Sequence, residues 1–509
     1  MRRSLKKMMA VGLTAAMTVG SISFQGLSAN AAGLPTTDGH NKYVNSEVFN
    51  VISDDSFGTK ELENPLFDKT TGSSDISNLQ VPTLAYDDTS IALVWDKPEK
   101  YDNVADYNVY VNGTLDGTAR KNYEENAKWA DTYMKSFYEY YETNSDVDMV
   151  NVDIHSYRAT GLTPDTEYTF KVVAVDKDGK ELGTAKEISQ KTTVKPEEFN
   201  ILDYGAVATE GYTSYNDEVN ALVEKNTKAI QAAIDACTPG GKVVIPQAED
   251  GKVFVSGALW LKSDITVELD GTLWASPNSD HFEIGFLMYP FYTDTRGWGL
   301  LNATSADENA PLENIRITGN GTLYGNGWKY GAGDKMYEDG YTSNTGVNTQ
   351  AGDPSDTENY GLPRYMGGSN TKVYYYGIQA ADSAKKYLAN LTNEDGSRKY
   401  SDELINSLSG YIEKDLADNG KVDKNGKDKF IDVETGNNAG IEKADITNAY
   451  ATRSSLLIMR NVSNVYVGDI TVENPANHSV NILDSRNIST ENVKVFSYDG
   501  NNGDGQIGR

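Results

Sequence analysis

The sequence predicts an all-β protein in two parts: an antiparallel β-sandwich followed by a stacked β-solenoid. Two observations carry this. Residues 80–195 hold short apolar runs, several alternating at period two, separated by turn signals. Beyond residue 199 a unit of β-branched residues with Asn or Asp at its start recurs, and Asn464 and Asn487 lie 23 residues apart (487 − 464). A period in the twenties implies coils that stack and bury a continuous apolar core. A flat sandwich would not explain it.

With 509 residues, the chain is too long for one ordinary core. It opens like a secretory leader. Arg2, Arg3, Lys6 and Lys7 precede an apolar run from Met8 to Val19, and Ala29-Asn30-Ala31 offers a small-residue cleavage site. The expectation is a signal peptide over 1–31 and an extracellular protein. No later stretch approaches the ~20 apolar residues of a membrane span. Loss of the leader removes four cations and no acids, taking the net charge from −28 to −32 (−28 − 4). That balance excludes nucleic acid as a partner, which demands a basic face. It also requires a local basic patch on any site for an acidic polymer. Cys237 is the sole cysteine, so no intramolecular disulfide can form. Residues 32–79 are polar and read as an irregular lead segment.

In 80–195, Ile91–Trp95, Tyr107–Val111 and Tyr168–Val175 read as strands. Trp95 on an early strand, and Leu162 and Tyr168 in Gly161-Leu-Thr-Pro-Asp-Thr-Glu-Tyr168, resemble a fibronectin type III module. The resemblance implies a core tryptophan and a tyrosine corner. A helix is expected over 121–144, inserted between strands, with Tyr133, Phe137, Tyr140 and Tyr141 on its buried face.

From Phe199 the character changes. Phe199 to Ala206 reads as an opening strand. Ile230, Ala233, Ile234 and Cys237 share one helical face, with Asn226 as the expected N-cap. Pro239-Gly240-Gly241 ends that helix. The repeat follows. Asp264-Ile-Thr-Val leads to Gly271-Thr-Leu, and Asn314-Ile-Arg-Ile to Gly321-Thr-Leu, 50 residues on, taken as two periods. The recurring Asn suggests a ladder at a turn. Residues 326–452 interrupt the repeat, with helical patterning over 379–416, and are expected to project from the flank of the solenoid. Asp423-Lys-Asn-Gly426 superficially suggests a calcium loop, but Lys421 and Asp432 occupy the positions where the loop needs an acid and usually Glu. No metal or cofactor is expected.

The opening strand, the helix, the repeat and Asn502-Gly503-Asp504-Gly505 together resemble glycoside hydrolase family 28, the polygalacturonases. The resemblance implies a right-handed parallel β-helix over 196–509, incomplete at its C-terminal end, with the helix as its N-terminal cap. It implies Asp504 as a catalytic, water-activating carboxylate and Asn502 as a substrate-binding residue. His478, one coil earlier, and Arg453, before a strand on the same side, are further candidates for binding a galacturonate. The family pattern has Thr where Gly503 stands, and Gln506 also departs from it. The family's Gly-Asp-Asp, Gly-His-Gly and Arg-Ile-Lys motifs are absent. Inverting hydrolysis needs an acid and a base roughly 6.5–9.5 Å apart, so this stretch is expected to be truncated and inactive alone. The implied partner is pectic polysaccharide. An uncapped last coil would favour non-native self-association. Two other readings are a non-catalytic carbohydrate-binding or surface protein and a pectate lyase-like β-helix enzyme, which would need calcium.

Overall fold

The computed structural model describes residues 72–126, 154–287, 295–307, 309–330, 375–377, 379–406, 408–412, 429–432, 441–442, 445, 448–449 and 452–496. The leader, and most of the expected helix over 121–144 with its four aromatic residues, lie outside them.

The first module is a sandwich. β1 (Ile91–Val94) is followed by β2 (Asp106–Val111), β3 (Thr114–Thr118), helix α1 (Ala119–Asn126), β4 (Ser156–Ala159), β5 (Glu167–Val175) and β6 (Glu181–Lys191). β1 pairs with β4, and the second sheet runs β3-β2-β5-β6, all antiparallel. The alternation puts Ile91, Leu93, Tyr107, Val109, Phe170 and Val172 inside. Trp95 joins them, edge-on to Tyr107 with ring centroids 5.2 Å apart. The tyrosine corner is present, because the Thr163 amide donates to the Tyr168 hydroxyl at 2.9 Å. Ile76 and Leu79, from the lead segment, also enter this core.

The second module begins with β7 (Glu198–Asn200) and α2 (Asp217–Ala236). α2 starts earlier than the sequence pattern suggests. Its N-cap is Asn216, whose side chain accepts from the Val219 amide. Asn226 instead lies buried in mid-helix, where its amide donates to Val207 O and accepts from Val207 N, each at 2.9 Å. Ala229, Ile230, Ala233, Ile234 and Cys237 close the end of the solenoid core. Without that cap the first coil would present apolar side chains to water.

The coils follow in order. β8 (Lys242–Ile245) and β9 (Phe254–Ser256) open, and β10 (Leu259–Trp260), β11 (Ile265–Leu269) and β12 (Thr272–Ala275) form the first full turn. A hairpin of β13 (Ile284–Leu287) and β14 (Thr295–Gly297) intervenes before β15 (Leu301–Thr304), β16 (Leu312–Thr318) and β17 (Thr322–Tyr324). The long insertion holds β18 (Trp328–Tyr330), β19 (Tyr375–Gly377), α3 (Gln379–Ala389), α4 (Asp402–Asn406), β20 (Leu408–Ile412) and β21 (Lys429–Asp432). Then β22 (Leu457–Arg460), β23 (Val462–Gly468) and β24 (Thr471–Glu473) precede β25 (Val480–Leu483), β26 (Arg486–Glu491) and β27 (Lys494–Phe496).

Three parallel sheets result: β10-β15-β22-β25, β7-β8-β11-β16-β23-β26 and β9-β12-β17-β24-β27. Val465 pairs with Ile488, so the 23-residue period is one coil. Ile265 pairs directly with Ile315, so the 50-residue spacing is also one coil, enlarged by the hairpin, and not two. The ladder is real. Asn314 donates to Asp264 at 2.8 Å, Asn464 to Asn314 at 3.1 Å and Asn487 to Asn464 at 3.1 Å. All four adopt positive φ, Asp264 just before β11 and the three Asn within β16, β23 and β26, a conformation Asn and Asp tolerate better than most residues. Gly321 is required by coil-on-coil approach, since a Cβ there would lie 2.1 Å from Gly271 O.

The described residues of 379–416, where helical patterning is expected, form two helices and a strand. Asn390–Ser401 turns, and Leu408–Ile412 pairs in a sheet. The insertion also folds back. Asp382 of α3 accepts from the Ser279 amide at 2.8 Å, and Lys386 reaches Asp280 at 2.9 Å.

Candidate functional site

The four-stranded sheet carries the candidate site. Leu301, Leu457 and Val480 are in register and point into the core. Successive strand residues face opposite ways, so Trp260, Asn302, Ile458 and Asn481 form the matching outward row. Asn302 is fully buried. It donates to Leu259 O at 3.0 Å and Gly299 O at 2.7 Å, and accepts from the Gly299 amide at 2.8 Å. It is a structural brace. Asn481 donates to Ser455 Oγ at 2.7 Å. Trp260 keeps 39% of its surface exposed and meets Trp298 edge-on at 4.8 Å. Trp298 and Leu483 cover Ile458.

Along the edge where the chain enters these strands lies a group of basic side chains. Arg453 stands four residues before β22, and His478 two before β25. Main-chain bonds hold the segments together: the Leu456 amide donates to His478 O and the Gly297 amide to Thr452 O, both at 3.0 Å. The Arg453 guanidinium reaches Ala476 O at 3.5 Å. The second bond brings in Arg296, which the sequence reading missed because hairpin β13–β14 interrupts the repeat. Its only local signal is the one Arg453 also shows, a cation just before a strand of this sheet.

Three basic side chains, Arg296, Arg453 and His478, act on one another. Desolvation by surrounding protein lowers the His478 pKa below 6.5, and Arg296 and Arg453 lower it further. His478 is therefore neutral at pH 7, although it remains exposed to solvent. Beside it the Asn477 Nδ2 is buried and makes no hydrogen bond. Gln379 of α3 donates to Ser454 Oγ at 2.8 Å, so the insertion borders this cluster.

Asp504 and Asn502 lie outside the described residues, as does the loop from Asp423 to Gly426. Among the described residues no three His, Cys, Asp or Glu side chains cluster to hold a metal. No helix among them is long and apolar enough to cross a membrane.

Three parallel sheets stacked coil on coil, capped at the first coil by α2, define a parallel β-helix. Comparisons narrow the class. The Fibronectin type III domain family matches residues 74–191. Over 431 residues, 84% of the chain, the sequence is 32% identical to exo-poly-α-D-galacturonosidase of Dickeya chrysanthemi. The family 28 exopolygalacturonase of Yersinia enterocolitica superposes with a TM-score of 0.58 at 30% identity, again over 84% of the chain. The chain spans 56% of the first relative's length and 61% of the second's. Over the matched residues it is homologous to these exopolygalacturonases. Its architecture is a fibronectin type III domain followed by a right-handed parallel β-helix.

Proposed function

We propose that the protein acts on pectic polysaccharide as a secreted polygalacturonase-type hydrolase, inverting at galacturonosyl linkages. The observation that carries the substrate is the cluster of Arg296, Arg453 and His478 on one edge of the four-stranded sheet. Uronate carboxylates need such partners, and the rest of this acidic chain would repel them. Guanidinium groups suit the role because they meet carboxylates with a planar fork of donors.

Position 504 lies one 23-residue period beyond Asn481 (504 − 481). By the resemblance, Asp504 would activate water, and Asn502 would orient Asp504 or hold the sugar. Attack from a chain end is the mode we favour. Both relatives are named as exo-acting, and α3 walls the cluster through Gln379 and Ser454.

One carboxylate cannot both protonate the leaving oxygen and activate water. Residues 32–509 produced alone should therefore bind polygalacturonate without cleaving it. Calorimetric titration with oligogalacturonate, against a neutral galactan control, tests binding. A reducing-end assay tests cleavage. Absence of binding would overturn the substrate reading, and release of reducing ends would overturn the reading of inactivity. Secretion rests on residues 1–31, and the mass of protein recovered outside the cell should place its first residue at Ala32 or within a residue or two of it.

A further inference from the structure

The two modules meet through buried charge. Arg158, on β4 of the sandwich, has only 11% of its side chain exposed. Its Nε donates to Glu491 Oε1 at 3.1 Å, Nη1 donates to Ser90 Oγ at 3.1 Å, and Nη2 contacts both Glu491 Oε2 and the Tyr466 hydroxyl. Glu491 ends β26, and Tyr466 lies in β23, the neighbouring strand of the six-stranded sheet. One rung further, Arg316 of β16 donates from Nε to Leu84 O at 3.1 Å and lies over the Tyr86 ring. Ala85, Ala92 and Tyr466 form an apolar cluster between these two arginine contacts.

The contact is built from both sides. On the sandwich, Asn122 of α1 accepts from the Arg158 amide and donates to Arg158 O, each at 2.9 Å, fixing the strand that presents the guanidinium. On the β-helix, the Tyr466 ring folds over Gly468, where a Cβ would stand 2.3 Å from its hydroxyl. Burial works against the Arg158 charge, and the hydrogen bonds and charge of Glu491 outweigh it, holding the group above its ordinary range.

We propose that the outer face of the six-stranded sheet is a docking surface for the sandwich module of the same chain. Arg158 clamps the last described coil, and the two modules unfold as one unit. A tether carrying a mobile carbohydrate probe would have no use for a buried ion pair, which is costly unless geometry and hydrogen bonds are both satisfied. The module sits on a different wall of the β-helix from the cation cluster, so it supports the coils without entering the candidate site.

The test is calorimetric unfolding of residues 32–509 together with amide hydrogen exchange. The unaltered protein should unfold in a single transition. Arg158→Ala should separate an earlier transition for the sandwich. It should also speed exchange in β26 and β27 at least tenfold, leaving β11 and β12 unchanged. Gly468→Ala should do the same by displacing Tyr466. The swap Arg158→Glu with Glu491→Arg should restore part of the protection, which loss of packing alone would not. If Arg158→Ala fails to fold, Glu491→Gln gives the same readout. Two independent transitions in the unaltered protein, or unchanged exchange in β26 for these variants, would overturn the proposal.

Discussion

The sequence singled out Arg453 as preceding a strand and His478 as one coil before Asp504, yet what each does depends on neighbours that sequence spacing hides. Arg453 faces Ala476 O across one coil, and Arg296 arrives from the hairpin. A charged hydrogen bond contributes about 1.5–3 kcal/mol, so Arg453→Ala should weaken oligogalacturonate binding by about 10- to 100-fold. Titration calorimetry at low salt would show it, and an unchanged affinity would remove Arg453 from the site. His478 makes a prediction in pH. Desolvation and the two arginines depress its pKa below 6.5, so it gains charge only as pH falls below that value. Binding should therefore tighten between pH 7 and pH 5, until uronate groups protonate near ~3.5. In His478→Ala that strengthening should be lost. Stability moves the other way. The unfolded chain takes up the proton first, so the His478 contribution is full above 6.5 and is lost as pH falls through its folded pKa. Asn226 shows why single residues mislead. Its type and place suggested a cap, but only the folded chain reveals the buried Val207 amide and carbonyl that it satisfies.

At the scale of elements, the repeat was legible wherever its loops are short. Asn464 and Asn487 gave the period because only tight turns separate β23, β24, β25 and β26. The coil from Asp264 to Asn314 was misread because a solenoid fixes its strands and leaves its loops free to grow. Hairpin β13–β14 and its flanks doubled that coil without altering its register. The same freedom hid strand Leu408–Ile412 behind helical patterning. The Asn ladder gives a sharp test of what fixes the coils. Asn464 donates to Asn314, accepts from Asn487 and holds φ at +57°. Asn464→Ala loses both bonds and meets backbone strain, and should cost about 2–3 kcal/mol. Asn464→Gly loses the bonds but relieves the strain, so it should cost about 1 kcal/mol less. Urea unfolding would separate the two, and equal losses would show that hydrogen bonding alone sets the turn.

For the whole molecule, the first and the last described coils of the β-helix differ in kind. α2 covers the first with a continuous apolar face. At the other, Ile482 lies in register with the buried Met459 and points the same way, yet keeps 44% of its surface exposed. Val480, Ile488 and Val493 are only partly buried beside it. Strands β25, β26 and β27 also stand last in their sheets among the described residues, so each offers an edge for further pairing. Apolar side chains next to unpaired strand edges favour end-to-end contact with another copy, and a net charge of −28 opposes it. The outcome should therefore depend on salt. Residues 32–509 should be mostly monomeric at low ionic strength and should associate as salt screens the repulsion, with a Debye length of ~3 Å at 1 M. Sedimentation velocity at 20 mM and 1 M sodium chloride would follow this. Ile482→Lys should suppress the association by placing charge at the apolar end. A variant that associates as readily as the unaltered chain would show that contact forms through another surface.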